Sequence, residues 1–130
     1  SAGQPLSHTR VLVVDDNHDA GDSLAMILEM LGAQVQVARS GAEAIEAFPA
    51  YQPSAVLLDI GMPGMNGYEV ARTLRSRFPA QQAVLVALTG WGQEDDRKRA
   101  REAGFDHHLV KPAEIDALQN LLASIQVAPA

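Results

Sequence analysis

The chain has 130 residues, 47% of them hydrophobic, and a formal net charge of −6. That length suits one domain with a single sizeable core, and the hydrophobic content excludes a disordered chain. The absence of cysteine excludes disulfides, thiolate zinc sites and a cysteine nucleophile. The acidic balance leaves no nucleic-acid footprint across the domain as a whole.

Ser1 to Thr9 is polar and reads as a leader or linker, without the basic-then-apolar order of a signal peptide. Val11 to Val14 is a short apolar run rich in β-branched residues, as in a buried strand. Asp19 to Leu31 places Leu24, Ile27, Leu28 and Leu31 at helical spacing, and Gly32 follows as a stop. Gln34 to Ala38 alternates as a second strand. Ser40 predicts an N-cap for a helix over Ala42 to Phe48, with Glu43 as its capping-box partner. Ala55 to Leu58 is a third strand, and Gly67 to Phe78 a helix ended by Pro79. Ala83 to Leu88 is a fourth strand. Gln93 to Ala103 is a charged helix stopped by Gly104, in which Arg97, Lys98, Arg99 and Arg101 mix with Glu94, Asp95, Asp96 and Glu102 as a solvated face. Asp106 to Val110 is a short fifth strand, and Ala113 to Ile125 a last helix with Ile115, Leu118, Leu122 and Ile125 on one side. The body of the domain is expected over residues 10–126, with a frayed tail at 127–130. No apolar run reaches the roughly 20 residues that cross a bilayer.

Five such βα units predict an α/β domain, a doubly wound parallel sheet with five helices covering both faces. In these sheets the functional crevice lies beyond the carboxyl ends of the strands. Asp15 and Asp16 follow strand one, Asp59 strand three, Thr89 strand four and Lys111 strand five. All five are thus expected at one end of the molecule. Carboxylates so gathered repel one another by roughly 4 kcal/mol per pair at about 4 Å and an effective dielectric of about 20. Oxygen ligands alone select a hard cation, Mg²⁺ or Mn²⁺. A lysine suits a phosphate and a threonine hydroxyl can donate to one. The set fits in-line phosphoryl transfer to an aspartate nucleophile.

Val13-Val14-Asp15-Asp16-Asn17 resembles the opening of two-component receiver domains. Leu58-Asp59-Ile60-Gly61-Met62-Pro63-Gly64-Met65-Asn66-Gly67 resembles their acceptor loop. Ala87-Leu88-Thr89-Gly90, Ala103-Gly104 and Leu109-Val110-Lys111-Pro112 complete the pattern, which spans about residues 9 to 126. The resemblance implies a flavodoxin-like sheet of strand order 2-1-3-4-5. It implies Asp59 as phosphoacceptor and Mg²⁺ held by Asp16, Asp59 and the Gly61 carbonyl, with Asp15 acting through water. It further implies Thr89 as the switch hydroxyl and Lys111 as partner of the phosphoryl group. The donor would be a histidine kinase or a histidine phosphotransfer domain. Such a domain promotes its own phosphorylation and dephosphorylation but turns over no separate substrate. It is expected in the cytoplasm, alone or as the cytoplasmic part of a membrane-bound sensor kinase, without inserting in the membrane or binding nucleic acid directly.

Many receivers carry Tyr or Phe where this chain has His108, so the switch partner of Thr89 is expected to be an imidazole. Ala113 stands where many DNA-binding regulators have Phe, and Thr89-Gly90-Trp91-Gly92-Gln93 looks like receivers of hybrid kinases or stand-alone regulators. Trp91 reads equally as a loop aromatic or as a lid over the acceptor. Asp15-x-Asn17-x-Asp19 imitates a calcium loop, but Ala20 replaces the glycine and Met26 the final glutamate. His107 and His108 are adjacent in a strand and face opposite ways, so they do not share an ion. A metal-dependent phosphohydrolase would need a second carboxylate at position 61 and a substrate cap. A flavin or dinucleotide module would need a glycine-rich first turn. A pseudo-receiver serving only as an interaction surface would not need the intact acidic set.

Overall fold

The computed structural model describes residues 9–61, 66–81, 83–89, 96–110 and 114–126. Strands and helices alternate as β1 (Arg10–Val14), α1 (His18–Met30), β2 (Gln34–Ala38), α2 (Gly41–Tyr51), β3 (Ala55–Asp59), α3 (Gly67–Arg77), β4 (Val84–Thr89), α4 (Asp96–Ala103), β5 (His107–Val110) and α5 (Ile115–Gln126). The strands form one sheet in the order β2-β1-β3-β4-β5, every pairing parallel. No helix among the described residues is long and apolar enough to cross a membrane.

Parallel strands covered on both faces read as unbroken apolar runs, and the period-two alternation of side chains divides them between two cores. Leu12, Val14, Val56, Leu58, Leu85 and Ala87 face one way, against Phe48 of α2, Leu74 of α3 and Ala100 of α4. Val11, Val13, Ala55, Leu57, Val86 and Leu88 face the other, against Leu28 of α1 and Leu118 and Leu122 of α5. Each leucine so buried contributes about 1.5–3 kcal/mol relative to an exposed one.

Element ends differ slightly from the sequence expectation. Asp59 and Thr89 are the last residues of β3 and β4, inside the strands rather than after them. Helix α2 runs on to Tyr51 through Pro49. Proline removes one intrahelical donor and crowds the carbonyl four residues back, yet here it stands in the last turn. That turn closes with Gln52 in the left-handed region at φ 53°, its N–H donating to Phe48 O at 3.0 Å. Ser40 Oγ accepts from Glu43 N at 3.1 Å as expected. The return bond from Glu43, however, goes to the N–H of Arg39 at 3.2 Å, one residue earlier than in the standard capping box.

Candidate functional site

Strand β1 lies between β2 and β3, so the chain leaves it in one direction and returns on the other side. That reversal opens a crevice at the carboxyl ends of β1 and β3. Asp15 extends the β1–β2 ladder by one bond, its N–H donating to Ala38 O at 3.1 Å. Its Oδ1 accepts from Asn17 N at 2.9 Å, and Asn17 Oδ1 in turn accepts from Ala20 N at 3.1 Å as the N-cap of α1. The acidic turn is therefore anchored to the helix start. Asp59 Oδ1 accepts from Gly61 N at 2.9 Å, a short turn that fixes the carboxylate at the strand end.

Oxygen atoms of Asp15, Asp16 and Asp59 all lie within 4.8 Å of one another. Asp15 and Asp59 are buried, 2% and 7% exposed, while Asp16 is exposed at the rim. Three anions at this separation need a compensating cation. The donor set holds only oxygen, and one donor opens to solvent. A hard divalent ion that retains part of its water shell fits such a site.

Thr89 is 2% exposed, and its Oγ1 lies 3.5 Å from the Leu109 carbonyl, at the outer limit for a hydrogen bond. It ends the strand beside β3, where Asp59 pairs in register with Leu88. His108 is half-buried on β5 and pairs with Ala87, and His107 before it is exposed. The two histidines belong to no three-residue metal cluster among the described residues. Lys111 and Trp91 lie outside the described residues.

Two glycines and an arginine shape the site in ways the sequence motif does not announce. A Cβ on Gly67 would stand 2.5 Å from Ile60 Cα and 3.0 Å from the Asp59 carbonyl oxygen. Helix α3 thus begins pressed against the turn after Asp59. A Cβ on Gly21 would stand 3.2 Å from Arg39 Nη1 and 3.7 Å from Asp15 Cβ. The space is used by Arg39, whose guanidinium pairs with Asp22 at 2.7 Å and donates to His18 O at 3.3 Å, strapping the first turn of α1 to the β2–α2 loop. Only the glycines leave a trace in the sequence, as small residues beside the acids.

Residues 11–123 match the sequence model of the response regulator receiver domain. The chain is 35% identical over 111 residues to an uncharacterized 14.6 kDa protein from the sodA1 3′ region of Leptolyngbya boryana, covering 85% of each. It is 37% identical over 124 residues to the virulence sensor protein BvgS of Bordetella bronchiseptica, covering 92% of this chain and 10% of that one. It is 37% identical over 117 residues to the response regulator MprA of Mycolicibacterium vanbaalenii, covering 90% of this chain and 48% of that protein. The chain thus spans most of the Leptolyngbya protein, a small part of BvgS and about half of MprA. The CheY-like receiver domain of Methylobacillus flagellatus superposes with a TM-score of 0.83 at 33% identity, over 92% of this chain and 99% of that structure.

Proposed function

The chain belongs to the response regulator receiver family, the phosphoacceptors of two-component signalling, and on that premise we propose that Asp59 is its acceptor. The phosphoryl group comes from a phosphohistidine on a histidine kinase or a histidine phosphotransfer domain. The N–P bond breaks, a P–O bond to the Asp59 carboxylate forms, and the released imidazole recovers a proton. The observation that carries this reading is the convergence of Asp15, Asp16 and Asp59 within 4.8 Å at the crevice. Asp59 is the member on the central strand β3, with its Oδ1 oriented by Gly61 N.

Asp16, Asp59 and the Gly61 carbonyl would hold Mg²⁺, or Mn²⁺ in its stead, with Asp15 acting largely through water. When bound, the ion offsets the negative charge of the acceptor and of the incoming phosphoryl oxygens. Lys111 supplies a point charge to the phosphoryl group, and the Thr89 hydroxyl turns from the Leu109 carbonyl to donate to it. A hydroxyl held at 3.5 Å gives up little when it turns. His108, on the strand beside Thr89, fills the space so vacated and passes the change to α4, β5 and α5. We place the domain in the cytoplasm, as a stand-alone regulator or as part of a larger sensor kinase. The absence of cysteine and the match to a segment of a sensor protein support this.

Beryllofluoride with Mg²⁺, followed by amide resonances, tests the reading. Wild type is expected to shift around residues 15–17, 59–61 and 89, and onward along β5 and α5. Asp59→Asn is expected to show none of these shifts. Equal shifts in Asp59→Asn would overturn the acceptor. Shifts confined to the crevice in wild type and in His108→Tyr alike would remove His108 from the switch. No response in wild type would leave a pseudo-receiver.

A further inference from the structure

Helices α3 and α4 carry seven of the ten basic residues of the chain against three acidic ones, a net charge of +4. The whole chain is −6, so everything outside these two helices sums to −10. The two helices lie side by side on one face of the sheet. Arg99 of α4 stacks 4.4 Å from the ring of Tyr68 on α3. Arg75 of α3 donates to Gly104 O at 3.1 and 3.0 Å, to Ala83 O at 2.9 Å, and pairs with Asp106 at 2.7 Å.

The basic residues therefore divide by task. Arg75 and Arg99 hold α3 to α4 and to the turn before β5. Arg72, Arg77, Lys98 and Arg101 are exposed and form no ion pair with the described residues. Being exposed, these side chains are not held by packing, and a net +4 on two adjacent helices costs mutual repulsion. We propose that the α3–α4 face docks an acidic segment of a partner protein, a surface separate from the carboxylate crevice.

Charge and size choose this occupant. The helices have 11 and 8 residues, about 16 and 12 Å long, so this basic pair of helices matches two or three turns of an acidic helix in length. A duplex carries one charge per roughly 1.7 Å along a stiff rod, and most of that rod would extend over the −10 remainder. A membrane surface would engage apolar side chains at its interface. The exposed large hydrophobic residues among those described are Met26, Met30, Val110 and Ile115, none on α3 or α4. Electrostatic complementarity of this kind speeds encounter and selects partners more than it adds affinity, so binding should weaken steeply with salt.

The test is fluorescence anisotropy of a labelled, glutamate-rich helical peptide, about 12 residues and roughly 18 Å long, titrated with the 130-residue chain at about 50 and about 200 mM salt. Binding is expected at low salt, weaker at high salt, with amide shifts on α3 and α4 in wild type. The exposed-site variant Arg72→Gln/Lys98→Gln/Arg101→Gln, folded by circular dichroism, is expected to bind at least about tenfold more weakly. Arg10→Gln, a basic residue on β1, is expected to stay within about twofold. The proposal is overturned by no binding at low salt, or by shifts that miss α3 and α4. It is equally overturned if the triple variant binds like wild type, or if a short duplex DNA or phosphatidylserine vesicles bind through these residues more tightly than the peptide.

Discussion

At the scale of single residues, two glycines beside Asp59, the proposed acceptor, predict opposite outcomes. Among the described residues, a Cβ on Gly61 meets only Asp59 Oδ1, at an ordinary 3.6 Å. Gly61→Asn should therefore fold with a stability within about 0.5 kcal/mol of wild type and place its amide beside the carboxylate. Phosphoform lifetime is the readout that should change, since a polar side chain there can orient water. Gly67 has no such room, because its Cβ would sit 2.5 Å from Ile60 Cα and 2.7 Å from Ile60 Cγ2. Gly67→Ala should cost about 1–3 kcal/mol through overpacking and slow labelling of the neighbouring aspartate. A Gly67→Ala protein with wild-type urea midpoint and labelling rate would show that α3 does not fix the turn after Asp59. Asp15, Asp16, Asp59 and Thr89 are legible in the sequence because each polar residue interrupts or ends an apolar strand. The clearance at Gly67 and the strap from Arg39 to Asp22 are not. They depend on contacts between segments that the sequence gives no way to pair.

At the scale of elements, caps and strand periods were the readable signals. Asn66 Oδ1 accepts from Glu69 N at 3.0 Å and starts α3 seven residues after Asp59. Asn66→Ala should lose about 1 kcal/mol, a fall in thermal midpoint of about 3 °C, measurable by calorimetry; an unchanged midpoint would mean the cap is replaced locally. The β2 range coincides with its expected bounds because Gln34 to Ala38 alternates cleanly. Helix α2 runs past Phe48 to Tyr51 because Pro49 falls in a last turn that Gln52 closes. The charged helix α4 was legible as a helix but not as a neighbour of α3. The stacking of Arg99 on Tyr68 and the Arg75 bonds to Gly104 are tertiary contacts with no local signature.

At the scale of the whole molecule, the sheet holds the crevice by burying two cores, one on each face. Leu57 lies fully buried on β3, two residues before Asp59 and between β1 and β4. Leu57→Ala should cost about 2–5 kcal/mol in urea unfolding; a loss below about 1 kcal/mol would mean that the strand carrying Asp59 is not part of the cooperative core. The five-unit α/β plan and the convergence of polar residues at one end follow from sequence order and the right-handed crossover rule. The strand order itself came from the resemblance, since periodicity does not say which strand lies beside which.

On the proposed function, the chain carries its signal as a phosphoryl group on Asp59. Acetyl phosphate with Mg²⁺, followed by intact mass and by peptide mapping after borohydride reduction of the acyl phosphate, tests it most directly. One added phosphoryl group is expected, located at Asp59, requiring the divalent ion, and absent in Asp59→Asn. A phosphoryl group found on another residue of the wild-type chain, or equal labelling of Asp59→Asn, would contradict it.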